Sequence, residues 1–275
     1  MTDPQSSSVS VADVVALVHR RYDPATAQPW DAVGLVCGDP AAPVRRILVA
    51  VDPVDAVVTE ALASGADLLL THHPLLLRPV SSVAATTPAG RTVHRLVTGG
   101  CALLVAHTNA DAAFDGVSDA LAAVLGLGVV TPVLPSPYDR DAGLGRVGDL
   151  DEPTTLAAFA ERVRDALPAT AQGVRVAGDP GRVVRRVAVL GGSGGDDLGA
   201  AAATGADVVV TSDLKHHVTL DFVATGGPAV IDVAHYASEW PWVPVVASRL
   251  GSDLAEHGVE VLVSNVVTDP WTFRA

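Results

Sequence analysis

Short aliphatic runs alternate with amphipathic stretches along most of the chain, a pattern typical of an α/β protein with buried parallel strands. Residues 47–51 and 67–71 are aliphatic runs that predict strands, and residues 54–64 between them predict a helix. Together these three segments predict a βαβ unit. A further aliphatic run at residues 102–106 predicts another buried strand.

Two segments of the first half of the sequence recur, in the same order, in the second half. Residues 64–71 match residues 204–211 at an offset of 140 positions, and residues 105–111 match residues 233–239 at an offset of 128. One such match could arise by chance, but two in the same order indicate an internal duplication. The fold class we predict is therefore α/β, with two similar α/β halves.

The boundary between the halves is predicted from turn-forming residues. Residues 131–145 contain several Pro and Gly residues without hydrophobic periodicity, which is typical of a linker. We therefore assign residues 1–130 to the first α/β half and residues 131–275 to the second. A chain of 275 residues is long enough for two domains of ordinary size.

Composition and charge restrict the class of protein. The formal net charge of -13 disfavours binding to nucleic-acid backbones and to anionic lipid. No apolar run approaches the length of a membrane span. The two cysteines, Cys37 and Cys101, are too few for a disulfide framework, and the polar, acidic start does not look like a secretory signal. We expect a cytoplasmic protein with neither a nucleic-acid scaffold nor a membrane as partner.

Candidate chemistry is concentrated where predicted strands end. Parallel sheets present ligands at the carboxyl ends of their strands, so polar side chains at these positions share one edge. A histidine pair follows one strand, and a histidine with an acid four residues later follows each of two others. These residues are His72, His73, His107, Asp111, His235 and Glu239.

The types and spacing of these residues favour a metal site. If each His-x-x-x-acid stretch begins a helical turn, its two side chains lie on one face, about 5–6 Å apart at Cβ. Imidazole and carboxylate groups suit Zn, Fe, Mn or Co. The set exceeds what one tetrahedral ion needs, and it suits two ions bridged by a carboxylate with positions left for water.

Each feature also has a purely structural interpretation. The pair His72-His73 could be a surface or capping pair, and Asp111 could be a helix-start acid. His235 with Glu239 could be an ion pair on a helix surface. Their convergence on equivalent strand ends of a repeated unit favours the metal interpretation.

Two further segments each have more than one interpretation. The glycine run at residues 191–195 resembles a phosphate-binding turn, but it lacks the Lys-Ser/Thr of a P-loop. It could equally be a tight turn that brings backbone near the site. In residues 211–217, Asp213 stands where His73 stands in the first copy. This segment could contact substrate, support the metal ligands or begin a solvated helix.

Several ordered motifs extend from Trp30 to Trp271, nearly the whole chain. They are Trp30-Asp31-x-Val33-Gly34-Leu35, Gly65-Ala66-Asp67, His72-His73-Pro74, His107-Thr108-Asn109-x-Asp111, Gly145-Arg146-Val147-Gly148, Lys215-x-His217, Asp232-x-x-His235-x-x-Ser238-Glu239 and Thr268-Asp269-Pro270. Together they resemble the GTP cyclohydrolase 1 type 2 family, whose members are also called Nif-three-like dinuclear metal-centre hexameric proteins. The departures are Ala32, where Asn is usual, and Ala234, where Gly usually precedes the metal-binding His.

The resemblance implies two similar α/β domains with a metal site in the cleft between them, and a toroidal homohexamer built from trimers. It also implies two divalent metal ions per chain, with the choice among Zn, Fe and Mn left open. The implied ligands are His72, His73, Asp111, His235 and Glu239, with Glu239 as a bridge. His107 matches a motif position near the metals, and His107 or His217 would transfer protons.

The activity that the resemblance implies is hydrolytic opening of the imidazole ring of GTP with release of formate. The two metals would lower the pKa of a bound water from 15.7 toward about 7, so that hydroxide attacks C8 of the purine. Lys215, Arg78 and the glycine run are candidates for holding the triphosphate. The alternatives are a metallohydrolase of another nucleotide or phosphoester, and a non-catalytic hexameric protein that binds metal or a partner.

Overall fold

The computed structural model describes residues 8–137, 139 and 141–275 of the chain. Helices alternate with strands, and two of the sheets have five strands each. The predicted α/β class is thereby confirmed. Within the described part of the chain, no helix is both long enough and apolar enough to cross a membrane.

The elements follow one another in an order that alternates strand and helix over most of the chain. The strands are β1 (Gly34–Cys37), β2 (Arg46–Ala50), β3 (Leu68–Thr71), β4 (Ala102–Val105), β5 (Leu134–Pro135), β6 (Gly143–Leu144), β7 (Arg146–Thr155), β8 (Arg175–Ala177), β9 (Val183–Ser193), β10 (Val208–Ser212), β11 (Ala229–Val233) and β12 (Glu260–Val263). The α-helices are α1 (Val11–Arg21), α2 (Asp55–Ser64), α3 (Pro88–Thr98), α4 (Thr108–Ala112), α5 (Val117–Val124), α6 (Leu156–Ala166), α7 (Leu198–Ala203), α8 (His216–Ala224), α9 (His235–Glu239) and α10 (Trp242–Asp253).

The chain divides into two compact units, and each unit draws on two separate segments. The first unit is Met1–Ala110 with Val243–Thr268, and the second is Asp111–Trp242 with Asp269–Ala275. The predicted halves, residues 1–130 and 131–275, follow the sequence repeat instead, and that boundary stays a prediction. The units differ from these halves because α5 contacts β7 and β9 of the second unit and because β12 returns to the sheet of the first.

The sheet of the first unit has the strand order β1-β4-β3-β2-β12. Strands β4, β3, β2 and β12 pair in parallel, and β1 lies antiparallel on the edge. Every residue of β3 and β4 is buried. Because β3 and β4 run in the same direction, the residues that follow Thr71 and Val105 emerge at the same edge of the sheet.

The sheet of the second unit has the strand order β7-β9-β10-β11-β8. Its central strands β9, β10 and β11 are parallel, and both edge strands are antiparallel to their neighbours. The central three strands correspond in order to β2, β3 and β4 of the first unit. The prediction of two similar α/β halves is therefore confirmed.

The repeat also appears in the hydrogen bonds of two equivalent aspartates. In the first unit, Oδ2 of Asp67 accepts the backbone N–H groups of residues 45 and 46, at 2.7 and 2.9 Å. In the second unit, Oδ2 of Asp207 accepts those of residues 185 and 186, at 2.9 and 2.8 Å. Each aspartate precedes one central strand and ties it to the neighbouring strand. The repeated Gly-Ala-Asp motif thus has the same structural role in both copies.

Two short strands and a buried side chain lie in the segment that turn residues predict to be a linker, residues 131–145. β5 and β6 in this segment form a short antiparallel pair, and Val133 is buried in a hydrophobic cluster of the second unit. Tyr138 and Arg140, which belong to the predicted linker, lie outside the described residues. The Pro and Gly residues of this segment therefore bound a hairpin of the second unit.

Both cysteines belong to the first unit, and burial raises the pKa of both thiols. Cys101 is buried, and its pKa rises to about 12; the pKa of the half-buried Cys37 is raised too. Since the thiolate is the nucleophile, few molecules of either thiol are reactive at mildly alkaline pH. We expect dithionitrobenzoate to label Cys37 slowly in the native protein and Cys101 only after unfolding. Rapid labelling of a native Cys37→Ser variant, in which Cys101 is the remaining thiol, would contradict this expectation.

Candidate metal centre

The first unit brings three imidazoles together at the carboxyl edge of its sheet. His72 and His73 follow β3, and His107 follows β4 after one residue. The potential ligand atoms of the three side chains all lie within 4.8 Å of one another. The ring centroids are 5.0 Å apart for His72 and His73, 5.1 Å for His72 and His107, and 5.6 Å for His73 and His107. Two neighbouring strands therefore place three nitrogen donors in one small volume.

The two histidines after β3 are oriented through their Nδ1 atoms. The Nδ1–H of the buried His72 donates to the carbonyl oxygen of Ala106 at 3.0 Å. The Nδ1–H of His73 donates to Oδ1 of Asp52 at 2.7 Å, and Asp52 also accepts the hydroxyl of Thr268. Carbonyl and carboxylate oxygens can only accept, so both rings carry their proton on Nδ1. Nε2 is then the ligand atom, as is usual for metal-binding histidines.

His107 is oriented in the same way by a buried carboxylate. Its Nδ1–H donates to Oδ1 of Asp31 at 2.8 Å, and Oδ2 of Asp31 accepts the backbone N–H of Thr108 at 3.0 Å. Burial raises the pKa of Asp31, but the hydrogen bonds from Thr108 and His107 outweigh it and lower that pKa. Burial and the neighbouring His72 lower the pKa of His107 to about 4, against the opposing effect of Asp31. Asp31 is therefore ionised and His107 neutral near neutral pH.

The second unit contains a histidine and a glutamate at the two ends of α9. Nε2 of His235 lies 2.9 Å from Oε1 of Glu239, which is 3% exposed, and Nδ1 of His235 lies 2.6 Å from Oδ2 of Asp213. A neutral imidazole has one N–H and cannot donate to both carboxylates. A cation held by Nε2 of His235 and the Glu239 carboxylate would satisfy both atoms without protonating the ring. This pair therefore has the composition expected of metal ligands.

The backbone approaches this pair closely at Gly192. A Cβ at this position would lie 2.5 Å from Oε1 of Glu239 and 3.1 Å from Nε2 of His235, and φ is +67°. The N–H of Gly192 donates to Oγ of Ser238 at 2.9 Å, which fixes the approach. A larger residue would displace the two donor atoms. The structure therefore favours the tight-turn interpretation of the glycine run at residues 191–195.

The other predicted site residues are Asp111, His217, Lys215 and Arg78. Asp111 is half-buried in α4, and His217 is exposed in the first turn of α8, where its ring lies 5.0 Å from that of His216. Lys215 and Arg78, proposed to hold phosphate, are exposed. Among the described residues, His217 belongs to neither group of candidate metal donors. Its assignment as a proton-transfer residue stays a prediction.

The donor atoms fit a divalent transition-metal ion. Imidazole nitrogen and carboxylate oxygen are its preferred ligands when thiolates are absent from the set. Each of the four strand-end histidines has its Nδ1 against an oxygen acceptor, as described above. The buried His and Glu residues can therefore hold a metal ion.

The sequence pattern did not single out the carboxylates that orient the imidazoles of the first unit. Asp52 follows β2 by two residues, at the same edge as His73, so the strand-end argument could have found it. Asp31 lies 76 positions before His107 in an irregular segment, and only its place in a motif marks it. For Asp213, support of the metal ligands is one of the interpretations that the sequence leaves open, and its Oδ2 contacts Nδ1 of His235.

Comparison with protein families matches residues 9–270 to the model of Duf34/NIF3 (NGG1p interacting factor 3). A Streptomyces coelicolor protein named GTP cyclohydrolase 1 type 2 homolog is 49% identical in an alignment of 266 residues, which covers 95% of this chain and 93% of that protein. A protein of the same name from Clostridium perfringens is 35% identical over 244 residues, 89% of this chain and 92% of that protein. These similarities extend over nearly the whole chain.

Two solved structures are similar to this chain over nearly its whole length. A Bacillus cereus protein related to NIF3 has a TM-score of 0.90 at 25% identity, covering 98% of this chain and 100% of that one. A Staphylococcus aureus hypothetical protein has a TM-score of 0.90 at 28% identity, with the same coverage. The arrangement of helices and strands described above is thus shared with both.

Proposed function

Because the chain belongs to the Duf34/NIF3 family, as its motifs indicated, we propose that it is a metal-dependent hydrolase that opens the imidazole ring of GTP and releases formate. The names of the relatives support the GTP cyclohydrolase assignment. The observation that carries the proposal is the group of three imidazoles, His72, His73 and His107, each with Nδ1 fixed by an oxygen acceptor. Preorganised imidazoles of this kind suit a catalytic metal site, with His72 and His73 as ligands and His107 beside them for proton transfer.

We assign the ions to the five residues implied by the family motifs. Two divalent cations per chain, chosen from Zn, Fe and Mn, would be held by His72, His73, Asp111, His235 and Glu239. The two carboxylates offset part of the positive charge, and the buried Glu239 is the bridging candidate. When bound, the ions would lower the pKa of water and supply a nucleophile at neutral pH.

His107 is our candidate for proton transfer. Its Nδ1 is held by Asp31, so its Nε2 can accept a proton from the attacking water and return it to a purine nitrogen. Water adds at C8, and one bond from C8 to a ring nitrogen breaks to open the ring. A second water then breaks the other bond and releases C8 as formate. The exposed His217 is the second candidate for protonating a departing nitrogen.

The His107→Asn variant is expected to keep its metal and lose turnover. The asparagine amide can still donate to Asp31 from the place of Nδ1, but it has no group at the position of Nε2. We expect kcat for formate release to fall by about 10²- to 10⁴-fold, the usual contribution of a general acid or base. Metal analysis of the same preparation is the control. A variant that loses its metal would instead show that His107 is a ligand.

The experiment that tests the proposed function is an assay of formate release. The purified protein is loaded separately with Zn, Mn and Fe, and each form is incubated with GTP while formate and pterin fluorescence are measured. We expect formate in at least one metal form and none after chelation. Absence of formate in all three forms would contradict the cyclohydrolase assignment.

A further inference from the structure

The second unit contains a cavity of about 510 Å³, and one of its lining residues, Asp213, contacts the proposed metal ligand His235. This volume is within the range of small-molecule sites, about 300–1,000 Å³. Neither the motifs nor the proposed ligand set accounts for it. The side chains that the argument uses are Gln172, Arg175, Asp213, Trp271, Phe273 and Arg274.

Two large aromatic side chains line this cavity and are open to solvent. Trp271 is 67% exposed and Phe273 is 80% exposed. Exposed aromatic rings that share a concave surface are typical of binding sites, because their burial against a ligand is favourable. Planar heteroaromatic rings are the ligands that stack best on them.

Two arginines in the same cavity provide positive charge. Arg175 pairs with the buried Asp232, which also accepts the side chain of Gln172 at 3.3 Å, so one part of its guanidinium is fixed. Arg274 makes no hydrogen bond or ion pair with any residue that the structure describes. A guanidinium group binds phosphate through two parallel hydrogen bonds. One positioned and one available arginine therefore suit an anionic group of a ligand.

The cavity is connected to the proposed chemistry through Asp213. This side chain lines the cavity, and its Oδ2 lies 2.6 Å from Nδ1 of His235. Asp213 also has a φ of 59°, a left-handed conformation that is uncommon outside glycine and costs conformational energy. A ligand in the cavity thus lies one side chain away from a candidate metal ligand.

We propose that this cavity is the nucleotide subsite of the second unit. The purine ring stacks on Trp271 and Phe273, and the phosphates bind Arg175 and Arg274. The choice of a purine nucleotide rests on the proposed function, whereas the combination of aromatic rings and arginines comes from the cavity itself. The subsite would hold GTP near the metal ions and select ligands that carry both a planar base and an anionic chain.

Binding of three probes tests this proposal independently of turnover. Calorimetry with GTP, guanosine and tripolyphosphate is carried out on the wild-type protein and on the Trp271→Ala and Arg274→Gln variants. We expect Trp271→Ala to weaken GTP and guanosine by about 5- to 100-fold, the range of stacking contributions, and to leave tripolyphosphate unchanged. We expect Arg274→Gln to weaken GTP and tripolyphosphate and to leave guanosine unchanged. The exposed Arg162 on α6 lies outside the cavity, so Arg162→Gln is the matched control.

The outcomes separate this proposal from the proposed function. Wild-type GTP affinity in both variants, or equal weakening of all three probes, would overturn the subsite. Absence of GTP binding to the wild-type protein would overturn it too. Selective binding losses in a protein that releases no formate would uphold the subsite and contradict the cyclohydrolase activity.

Discussion

The Glu239→Gln variant is expected to lose at least one of the two metal ions that we propose for each chain. Glu239 is buried, and its Oε1 lies 2.9 Å from Nε2 of His235. Glutamine keeps the size of the side chain but removes the negative charge that a cation requires from this ligand. Removing groups that only orient ligands weakens metal binding about 10- to 100-fold, and we expect at least this loss. Metal content after dialysis, measured by mass spectrometry, checks it.

Matched variants show whether the loss is specific to the proposed ligands. Glu161 is exposed on α6 in the same unit, so Glu161→Gln is expected to keep its full metal content. Asp111→Asn is expected to behave like Glu239→Gln, whereas Asp165→Asn, at an exposed position, is not. Full metal content in both Glu239→Gln and Asp111→Asn would show that the ligand assignment is wrong.

Elements built from local patterns could be predicted from the sequence to within a residue or two. The strand expected at residues 67–71 is Leu68–Thr71, and the helix expected at residues 54–64 is Asp55–Ser64. Both are fixed by a continuous aliphatic run or an amphipathic stretch bounded by turn residues. The one-residue shift at β3 has a physical reason, because the Asp67 carboxylate ties the adjacent strand.

Long-range pairings could not be predicted, because no local pattern encodes them. Glu260 in β12 pairs with Arg46 in β2, 214 positions earlier in the chain. A short strand so far from its partner looks, in sequence, like any other short aliphatic run. The hairpin of β5 and β6 could not be predicted for a different reason, since Pro and Gly residues without hydrophobic periodicity are also typical of a linker.

In the candidate metal centre, too, local sequence patterns predict some of the residues and not others. The grouping of His72, His73 and His107 follows from parallel strands that end at one edge, and the structure places these three together. Of the acceptors that orient them, the Ala106 carbonyl and Asp52 lie just after strands, whereas Asp31 lies in an irregular segment that the strand pattern does not reach. The distance of Asp31 along the chain from His107 gives no indication of contact.

Replacing Arg146 with methionine is expected to destabilise the second unit strongly. Arg146 is 1% exposed; its Nη2 lies 2.6 Å from Oδ2 of Asp119 and donates to the carbonyl of Ala113 at 2.7 Å. Its Nη1 donates to the carbonyls of Gly143 and Gly145 at 2.6 and 2.8 Å. Methionine fills the space but leaves a carboxylate and three carbonyl oxygens without this donor. Breaking such a buried pair costs about 3–5 kcal/mol of unfolding free energy.

The midpoint of urea unfolding measures this loss, and an exposed arginine provides the control. Arg164 pairs with Asp165 on the surface of α6, so Arg164→Met is expected to leave the midpoint nearly unchanged. Adding Asp119→Leu to Arg146→Met should recover part of the stability, because the uncompensated, half-buried carboxylate is then removed. Ala113 lies two residues after Asp111, so Arg146→Met is also expected to weaken metal binding by releasing this backbone segment. A wild-type midpoint for Arg146→Met would mean that the desolvation cost of the arginine cancels its hydrogen bonds.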